Sequence, residues 1–306
     1  MVSVVDFASK KCVQKGEELC SYYGLSDGSG LVELPIPGIR LFRIDQYHKM
    51  TPQMYQQGVV VILQGNKVGH LNDYRFDYDT NHCLIVATPY PIACETFASA
   101  EEPLIGLDID FDLTIIQELV DTLEQHQHSE IPLSPDSGRG VAVTQITPDI
   151  RDCICRLLGC LKDPLDAKVL GKQLLREFYY QLLKSDQGHL LAQYCKQDSA
   201  LSRVSRVITH VQSHYDQKLA INDLADMAGM SVSAFHRAFK QVVTDPPLQY
   251  IKKIRLNKAK TMMSQDGMPA NIAALKVGYE SPTQFSREFK RYFGVPPSKA
   301  SHIGFS

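Results

Sequence analysis

The chain of 306 residues has no apolar segment long enough to cross a membrane. Its longest purely aliphatic run covers residues 59–63, whereas a membrane-spanning helix needs about 20 apolar residues. Residues 1–6 show no basic stretch followed by an apolar one, which a secretory signal would require. We therefore expect a cytoplasmic protein with no membrane partner.

Cysteine is scarce, at eight residues, which is too few for a disulfide scaffold. No C-x-x-C pair occurs, so we expect reduced thiols that pack as small apolar groups. Cys153, Cys155 and Cys160 cluster on a predicted helix. This cluster leaves redox or metal sensing open as an alternative.

Motifs that carry catalysis are also missing. There is no glycine-rich phosphate loop and no Gly-x-Ser-x-Gly elbow, so nothing supports an NTPase or a hydrolase. His48, His70 and His82 stand alone in sequence, whereas a catalytic metal needs several converging ligands. The pair His126 and His128 lies in a polar segment. We predict no catalytic residue, no metal ligand and no cofactor, and therefore no enzyme.

Charge is distributed unevenly, although the net charge is only −2. Residues 200–306 hold nine Lys and six Arg against seven acidic residues, which gives +8, and residues 1–199 carry −10. Hydrophobic residues make up 44% of the chain, as in globular proteins. The length and the charge asymmetry predict two domains, and the basic one is a candidate for binding nucleic acid.

The acidic part begins with a predicted helix over residues 3–22 and then changes to short runs rich in β-branched and aromatic residues. Seven such runs predict an antiparallel barrel or sandwich: 39–44, 59–63, 68–71, 74–78, 84–87, 93–97 and 104–111. Gly65-Asn66 and Asn72-Asp73 are predicted hairpin tips. Helical periodicity follows over 113–127, 149–162 and 166–184, and the polar segment 187–199 is the predicted domain boundary.

The basic part contains one phrase twice, and from the serine onward the second copy repeats the first at an offset of 50 residues. In each copy a short apolar helix ends at a glycine, Gly229 or Gly278, and a serine then precedes a second helix. Two phenylalanines four residues apart share one face of that second helix, and basic and polar residues occupy the other. Each copy therefore predicts a helix-turn-helix unit, whose second helix fits the major groove of DNA.

The sequence over about 201–302 resembles the AraC/XylS family of transcription regulators. The resemblance rests on Phe235-His236-Arg237-x-Phe239-Lys240 and on Gly278-Tyr279-x-Ser281-x-x-x-Phe285-Ser286-Arg287-x-Phe289-Lys290-Arg291-x-Phe293-Gly294-x-x-Pro297. Gln249-Tyr250-Ile251 and Arg255-Leu256-x-x-Ala259 resemble the family's linker helix, which implies a rigid spacer over 249–264. Pro282 is a departure, since many relatives have a polar residue there.

The resemblance implies two sets of DNA contacts, carried over by position. The candidate base readers are Ser233, His236, Arg237, Thr283, Gln284 and Arg287. The candidate phosphate contacts are Lys240, Lys290 and Arg291.

A second resemblance rests on three stretches: Pro37-Gly38-Ile39-Arg40-Leu41-Phe42-Arg43, Val61-Ile62-Leu63-Gln64-Gly65-x-Lys67 and Pro103-Leu104-x-x-Leu107-x-Ile109-x-Phe111. Through them, residues 35–120 resemble the cupin-like N-terminal domain of one branch of the same family. In such proteins this domain binds a small effector, mediates dimerisation, or does both. Arg43, His48 and His70 are candidate ligand contacts. The apolar stripe of 149–184 is the candidate homodimer contact, with packing on its own barrel as the alternative.

The resulting prediction is an α+β chain with two domains. Residues 1–195 form a cupin-like β-barrel with flanking helices, and residues 196–306 form an all-α DNA-binding domain of two helix-turn-helix units joined by a linker helix. The predicted function is a sequence-specific regulator that binds double-stranded DNA, and RNA polymerase if it is an activator. The alternative is an enzymatic or metal-binding cupin that its C-terminal domain localises to DNA.

Overall fold

The computed structural model describes residues 4–71, 74–126, 139–196 and 199–302. The N-terminal part contains, in chain order, α1 (Val4–Tyr22), β1 (Gly30–Glu33), β2 (Ile39–Ile44), β3 (His48–Tyr55), β4 (Gly58–Gln64), β5 (Asn66–Leu71), β6 (Tyr74–Asp79), β7 (His82–Val86), β8 (Tyr90–Phe97), β9 (Leu104–Asp110), α2 (Leu113–Gln125), β10 (Val141–Gln145), α3 (Pro148–Cys160), α4 (Pro164–Leu183) and α5 (Gly188–Cys195). The C-terminal part contains α6 (Ala200–Ser213), α7 (Ile221–Met227), α8 (Val232–Val243), α9 (Pro247–Ser264), α10 (Ala270–Lys276), α11 (Pro282–Phe293) and a short 3₁₀ helix (Pro297–His302).

The predicted α+β organisation is confirmed, and all seven predicted strand runs are strands. Three further strands, β1, β3 and β10, had no strand prediction. In β3 the buried positions alternate at Thr51, Gln53 and Tyr55, so the inward face is largely polar. A polar inward face hides the apolar alternation on which strand prediction relies.

The ten strands form two antiparallel sheets. The six-stranded sheet has the order β1-β2-β9-β4-β7-β10, and the four-stranded sheet has the order β3-β8-β5-β6. Among the strands that the structure describes, no ladder joins the sheets into a closed barrel.

One of the two predicted hairpin tips is wrong. Gly65 joins β4 to β5, which lie in different sheets, so it is a corner rather than a hairpin tip. Its φ of 84° and its closeness to Leu104 favour glycine there. Asn72 and Asp73 fall outside the described residues, but the strands beside them pair Leu71 with Tyr74.

The expectation that all the cysteines are free thiols is wrong, because Cys12 and Cys155 form a disulfide. They lie on α1 and α3, which pack against each other with these Cα atoms 5.3 Å apart, within the range that a disulfide spans. The sequence does not indicate this proximity, because the two cysteines are 143 residues apart. The other six cysteines are free, and Cys20, Cys83, Cys94, Cys153 and Cys160 among them are buried.

The apolar stripe predicted for 149–184 divides between two environments. Phe178 and Leu182, in the second half of α4, are buried in the N-terminal core. Leu165, Val169 and Leu170, in its first half, are exposed by 67%, 56% and 47%. Within this stripe, the first half of α4 is therefore the part that has an apolar face free for a partner.

The hydrophobic core is continuous from the sheets into the first helix-turn-helix unit and ends at Ile254 of α9. The second unit has a separate core around Phe285, Phe289 and Phe293. The segment 187–199, the predicted boundary, contains α5, whose Leu190 and Leu191 are buried in the first core. The two predicted domains are thus packed together rather than separated by an open linker.

Polar contacts also join the two parts. Tyr90 at the start of β8 donates to Asp245 Oδ2 at 2.5 Å, and Lys253 Nζ donates to the same oxygen at 2.6 Å. Tyr250 of α9 donates to the carbonyl of Pro89 at 2.7 Å. Helix α9 also contacts α8, α10 and α11. The hydrogen bonds therefore connect the N-terminal sheets to the helix that links both helix-turn-helix units.

Candidate nucleic-acid interface and N-terminal cavity

Each helix-turn-helix unit is built as the sequence predicts. Ser231 and Ser281 cap α8 and α11 by accepting from the backbone N–H groups of Ala234 and Gln284. Gly278 has a φ of 82°, and a Cβ there would lie 2.5 Å from the carbonyl oxygen of Asp216. Glycine alone therefore fits this turn.

Burial separates the two faces of the candidate recognition helices. In α8, Phe235 and Phe239 are buried, and in α11 Phe285 and Phe289 are buried. All nine predicted DNA contacts are exposed: Ser233, His236, Arg237, Lys240, Thr283, Gln284, Arg287, Lys290 and Arg291. Their roles as base readers or phosphate contacts stay predictions.

The basic residues of these helices differ from those of the linker helix in how they are bonded. Within the described chain, no hydrogen bond or ion pair engages the side chains of Arg237, Arg287, Lys240, Lys290 or Arg291. In α9, by contrast, Lys252 pairs with Glu288 at 3.1 Å and Lys253 pairs with Asp245 at 2.6 Å. The charges on α8 and α11 are therefore available to a polyanion.

Arg255 of α9 stabilises the spacer between the two units. Its guanidinium donates to the carbonyls of Tyr215, Gln217 and Gly278 at 2.6, 2.8 and 3.0 Å. These three bonds tie α9 to the turn after α6 and to the turn before α11. The linker helix begins at Pro247, two residues before the predicted spacer.

A cavity of about 280 Å³ lies between the two sheets of the N-terminal part. The six-stranded sheet contributes Arg40, Phe42, Val60 and Asp108 among its lining residues, and the four-stranded sheet contributes Gln53, Tyr55 and Lys67. The lining therefore combines an apolar surface with charged groups on both walls.

The ammonium group of Lys67 is held in place beneath the cavity by neutral partners. It donates to Gln53 Oε1 at 3.0 Å and to the Tyr55 hydroxyl at 2.7 Å. The Tyr55 hydroxyl lies in turn 2.5 Å from that of Tyr78. Burial lowers the pKa of Lys67, and the nearby Asp108 opposes that shift.

The three predicted ligand contacts do not line this cavity. The Arg43 guanidinium donates to the Gly28 carbonyl and to Asp45. His48 begins β3, and its pKa is lowered first by burial and then by Lys67 and Lys260. His70 lies in β5, opposite Arg75. The sequence does not indicate that Lys67 and Asp108 line one cavity, because the two residues lie on strands far apart in sequence.

Metal ligands do not converge anywhere in the described part of the chain: no group of three or more His, Cys, Asp or Glu could hold an ion. His126 is exposed after α2, and His128 lies outside the described residues. Likewise, none of the described helices combines the length and apolar character needed to span a bilayer.

Comparison with known families decides the identity of the chain. The profile described as "AraC-type transcriptional regulator N-terminus" matches residues 35–190, which is just over half of the chain. The chain is an AraC-type regulator. The profile described as "Helix-turn-helix domain" matches residues 224–302, which contain most of the repeated helical phrase.

Individual relatives include proteins that are named as regulators. The chain is 32% identical over 110 residues to the transcriptional regulator YisR of Bacillus subtilis, but the match covers only 36% of this chain and 38% of YisR. It is 24% identical over 251 residues to the thermoregulatory protein LcrF of Yersinia pestis, covering 80% and 89% of the two chains. ToxT of Vibrio cholerae shares the fold, with a TM-score of 0.55 at 11% identity over 92% of this chain and 100% of ToxT.

Proposed function

We propose that this AraC-type chain binds a specific double-stranded DNA site through α8 and α11 and regulates transcription there. The observation that carries the proposal is the pair of exposed basic helix faces, each backed by buried phenylalanines and each without competing ion pairs in the described chain. A protein of this kind acts in the cytoplasm, with RNA polymerase as a further partner if it activates.

The proposal assigns residues 196–306 to DNA binding and residues 1–195 to regulation. The cavity between the sheets is the proposed effector site, and no catalytic role is assigned to it. Solved structures of ToxT include one with an unsaturated fatty acid bound. For this chain, the proposed effector is a small molecule that fits the cavity between its own sheets.

A fragment of residues 196–306 should bind DNA without the rest of the chain. It carries both helix-turn-helix units and a net charge of +8. Its affinity should fall steeply with salt, because neutralising phosphates releases counterions. The measurement is a fluorescence-anisotropy titration at several salt concentrations, using sites selected from genomic fragments with the full-length protein.

The fragment needs a folding control, because Tyr250 and Asp245 lose their partners Pro89 and Tyr90 when the sheets are removed. Circular dichroism should show the helical content of α6–α11. A folded fragment that fails to bind a site recognised by the full-length protein would contradict the assignment of DNA binding to these residues.

We further propose that the protein is a homodimer through the first half of α4. Leu165, Val169 and Leu170 form an exposed apolar face on a helix whose other side is anchored in the core. Replacing Leu165 and Val169 together by Glu should convert the dimer to a monomer, because each charge would be buried without a partner.

Analytical ultracentrifugation across micromolar concentrations measures this change. Tyr22→Glu is the matched control, because Tyr22 is also an exposed apolar residue, at 61%, but lies on α1. A wild-type protein that is monomeric both with and without DNA would refute the dimer. A dimer that survives both Glu substitutions would place its interface elsewhere.

A further inference from the structure

The cavity between the sheets has opposite charges on its two walls. Asp108 projects from β9 in the six-stranded sheet, and Lys67 projects from β5 in the four-stranded sheet. The two groups form no ion pair with each other in the described structure. The other charged pair in the lining, Arg40 and Asp110, is already satisfied by a two-point contact at 2.9 and 2.5 Å.

Asp108 has unmet hydrogen-bonding capacity. It is only partly buried because its carboxylate faces the cavity, yet no described residue donates a hydrogen bond to it. Burial raises its pKa to about 6, although Arg40 and Lys67 both oppose the shift. A carboxylate accepts up to about four hydrogen bonds, so a ligand with N–H donors would satisfy a group that the protein leaves unsatisfied.

Lys67, in contrast, lacks one hydrogen-bond acceptor. Its ammonium group has three N–H donors, and Gln53 and Tyr55 take two of them. Both partners are neutral, so the buried positive charge lacks a contacting anion. A ligand oxygen could accept the third N–H, and a carboxylate there would also pair the charge.

When Arg40, Lys67, Asp108 and Asp110 are all ionised, the charges that line the cavity sum to zero. A neutral sum selects against a ligand with a net charge. A purely anionic ligand would leave Asp108 unpaired, and a purely cationic ligand would leave Lys67 unpaired. Either outcome buries a charge without a partner, which is costly. A ligand with separated positive and negative groups pairs both.

We propose that this cavity binds a small zwitterion with an apolar body, such as an aliphatic or aromatic amino acid, whose ammonium contacts Asp108 and whose carboxylate contacts Lys67. The apolar body packs against Phe42, Ile44 and Val60. A volume of 280 Å³ equals that of about nine water molecules at roughly 30 Å³ each, which suits a ligand the size of leucine.

This inference rests on the proposed function only in taking the N-terminal part as the regulatory half. The probes are L-leucine, L-methionine and L-phenylalanine, added to the full-length protein in isothermal titration calorimetry and thermal-shift assays. The matched analogues are 3-methylbutylamine and 4-methylpentanoate, which keep the leucine body but lack its carboxylate or its ammonium group.

We expect at least one amino acid to bind, and the analogues that lack one charge to bind roughly 10- to 100-fold more weakly than leucine, as expected for the loss of one charged contact. Asp108→Asn should weaken leucine binding by a similar factor. Asp77→Asn, the same charge change on the exposed face of β6, should leave binding unchanged.

The proposal is overturned if none of the three amino acids binds up to high millimolar concentration, or if an analogue binds as tightly as leucine. The analogue comparison uses the wild-type protein, so it stands even if a cavity variant fails to fold. DNA binding is measured on the same preparations. Intact DNA binding without amino-acid binding would refute the zwitterion site and leave the proposed function in place.

Discussion

Arg237→Ala and Arg287→Ala should each weaken binding to the specific DNA site by roughly 10- to 100-fold, while binding to random DNA falls much less. Each arginine lies between the two buried phenylalanines of its helix and on the opposite, exposed face. If the guanidinium contacts guanine O6 and N7, as we propose, the loss of that contact should cost about 1–3 kcal/mol.

The two arginines should affect base positions about ten base pairs apart, because the resemblance to the AraC/XylS family implies that α9 spaces the recognition helices by about one turn of DNA. Pro282 occupies the first turn of α11, as the structure confirms, and supplies no polar side chain at that end. We therefore expect Arg237 to matter at least as much as Arg287.

Two further variants distinguish the loss of base-specific contacts from the loss of positive charge. Lys240→Ala should lower specific and random binding by similar factors and reduce the salt slope by about one unit. Arg206→Ala removes an exposed arginine from α6, outside the recognition helices, and should leave the ratio of specific to random binding unchanged.

The measurement is a titration of each variant against cognate and scrambled duplexes. Alanine favours helix at these exposed positions, so a loss of binding will not reflect unfolding of α8 or α11. If specific and random binding fall in parallel for both arginine variants, these residues contact phosphates and the assignment of base readers is wrong.

The DNA-binding half could be predicted in detail because its signals are local. A glycine, a capping serine and two phenylalanines within about a dozen residues specify each recognition helix, and the repeat at an offset of 50 residues shows the pattern twice. The C-terminal ends of α8 and α11 are also equivalent in the two copies. Thr244 and Gly294 both adopt a left-handed backbone conformation, with φ of 61° and 76°.

The cavity could not be predicted, because its polar residues come from strands that meet only in the folded sheets. Gln53 and Tyr55 face inward from β3, whose polar sequence conceals a strand. Lys67 and Asp108 are 41 positions apart in sequence and lie on different sheets. The Cys12–Cys155 disulfide escaped prediction for the same reason, since only the packing of α1 on α3 brings its residues together.

Asp108→Asn should stabilise the ligand-free protein at neutral pH by about 3 kcal/mol. Burial raises the pKa of Asp108 from 3.8 to about 6, so the native state holds its proton more tightly than the unfolded state does. An acid with a raised native pKa loses stability as pH rises from about 4 to about 6, and a shift of roughly two units corresponds to about 3 kcal/mol. Asn keeps the shape and avoids the buried charge.

The stability gained by Asp108→Asn should depend on pH, because it arises from the raised pKa of the Asp108 carboxyl. At about pH 7.5 the wild-type carboxylate is ionised in both states and the full difference is present. At about pH 5 the native carboxyl is mostly protonated, and the advantage of Asn should shrink to about half. Urea unfolding of both proteins at the two pH values measures the difference.

Asp110→Asn supplies the matched control, because Asp110 lies two residues further along β9 and is paired. Its carboxylate makes the two-point contact with Arg40, so its loss should destabilise the protein at neutral pH, by up to about 1 kcal/mol, since Asp110 is partly exposed. If Asp108→Asn raises the free energy of unfolding and Asp110→Asn lowers it, the cavity holds an unpaired carboxylate. Equal stability of wild type and Asp108→Asn at both pH values would show that Asp108 is solvated, which would also remove the unmet acceptor on which a bound ammonium group depends.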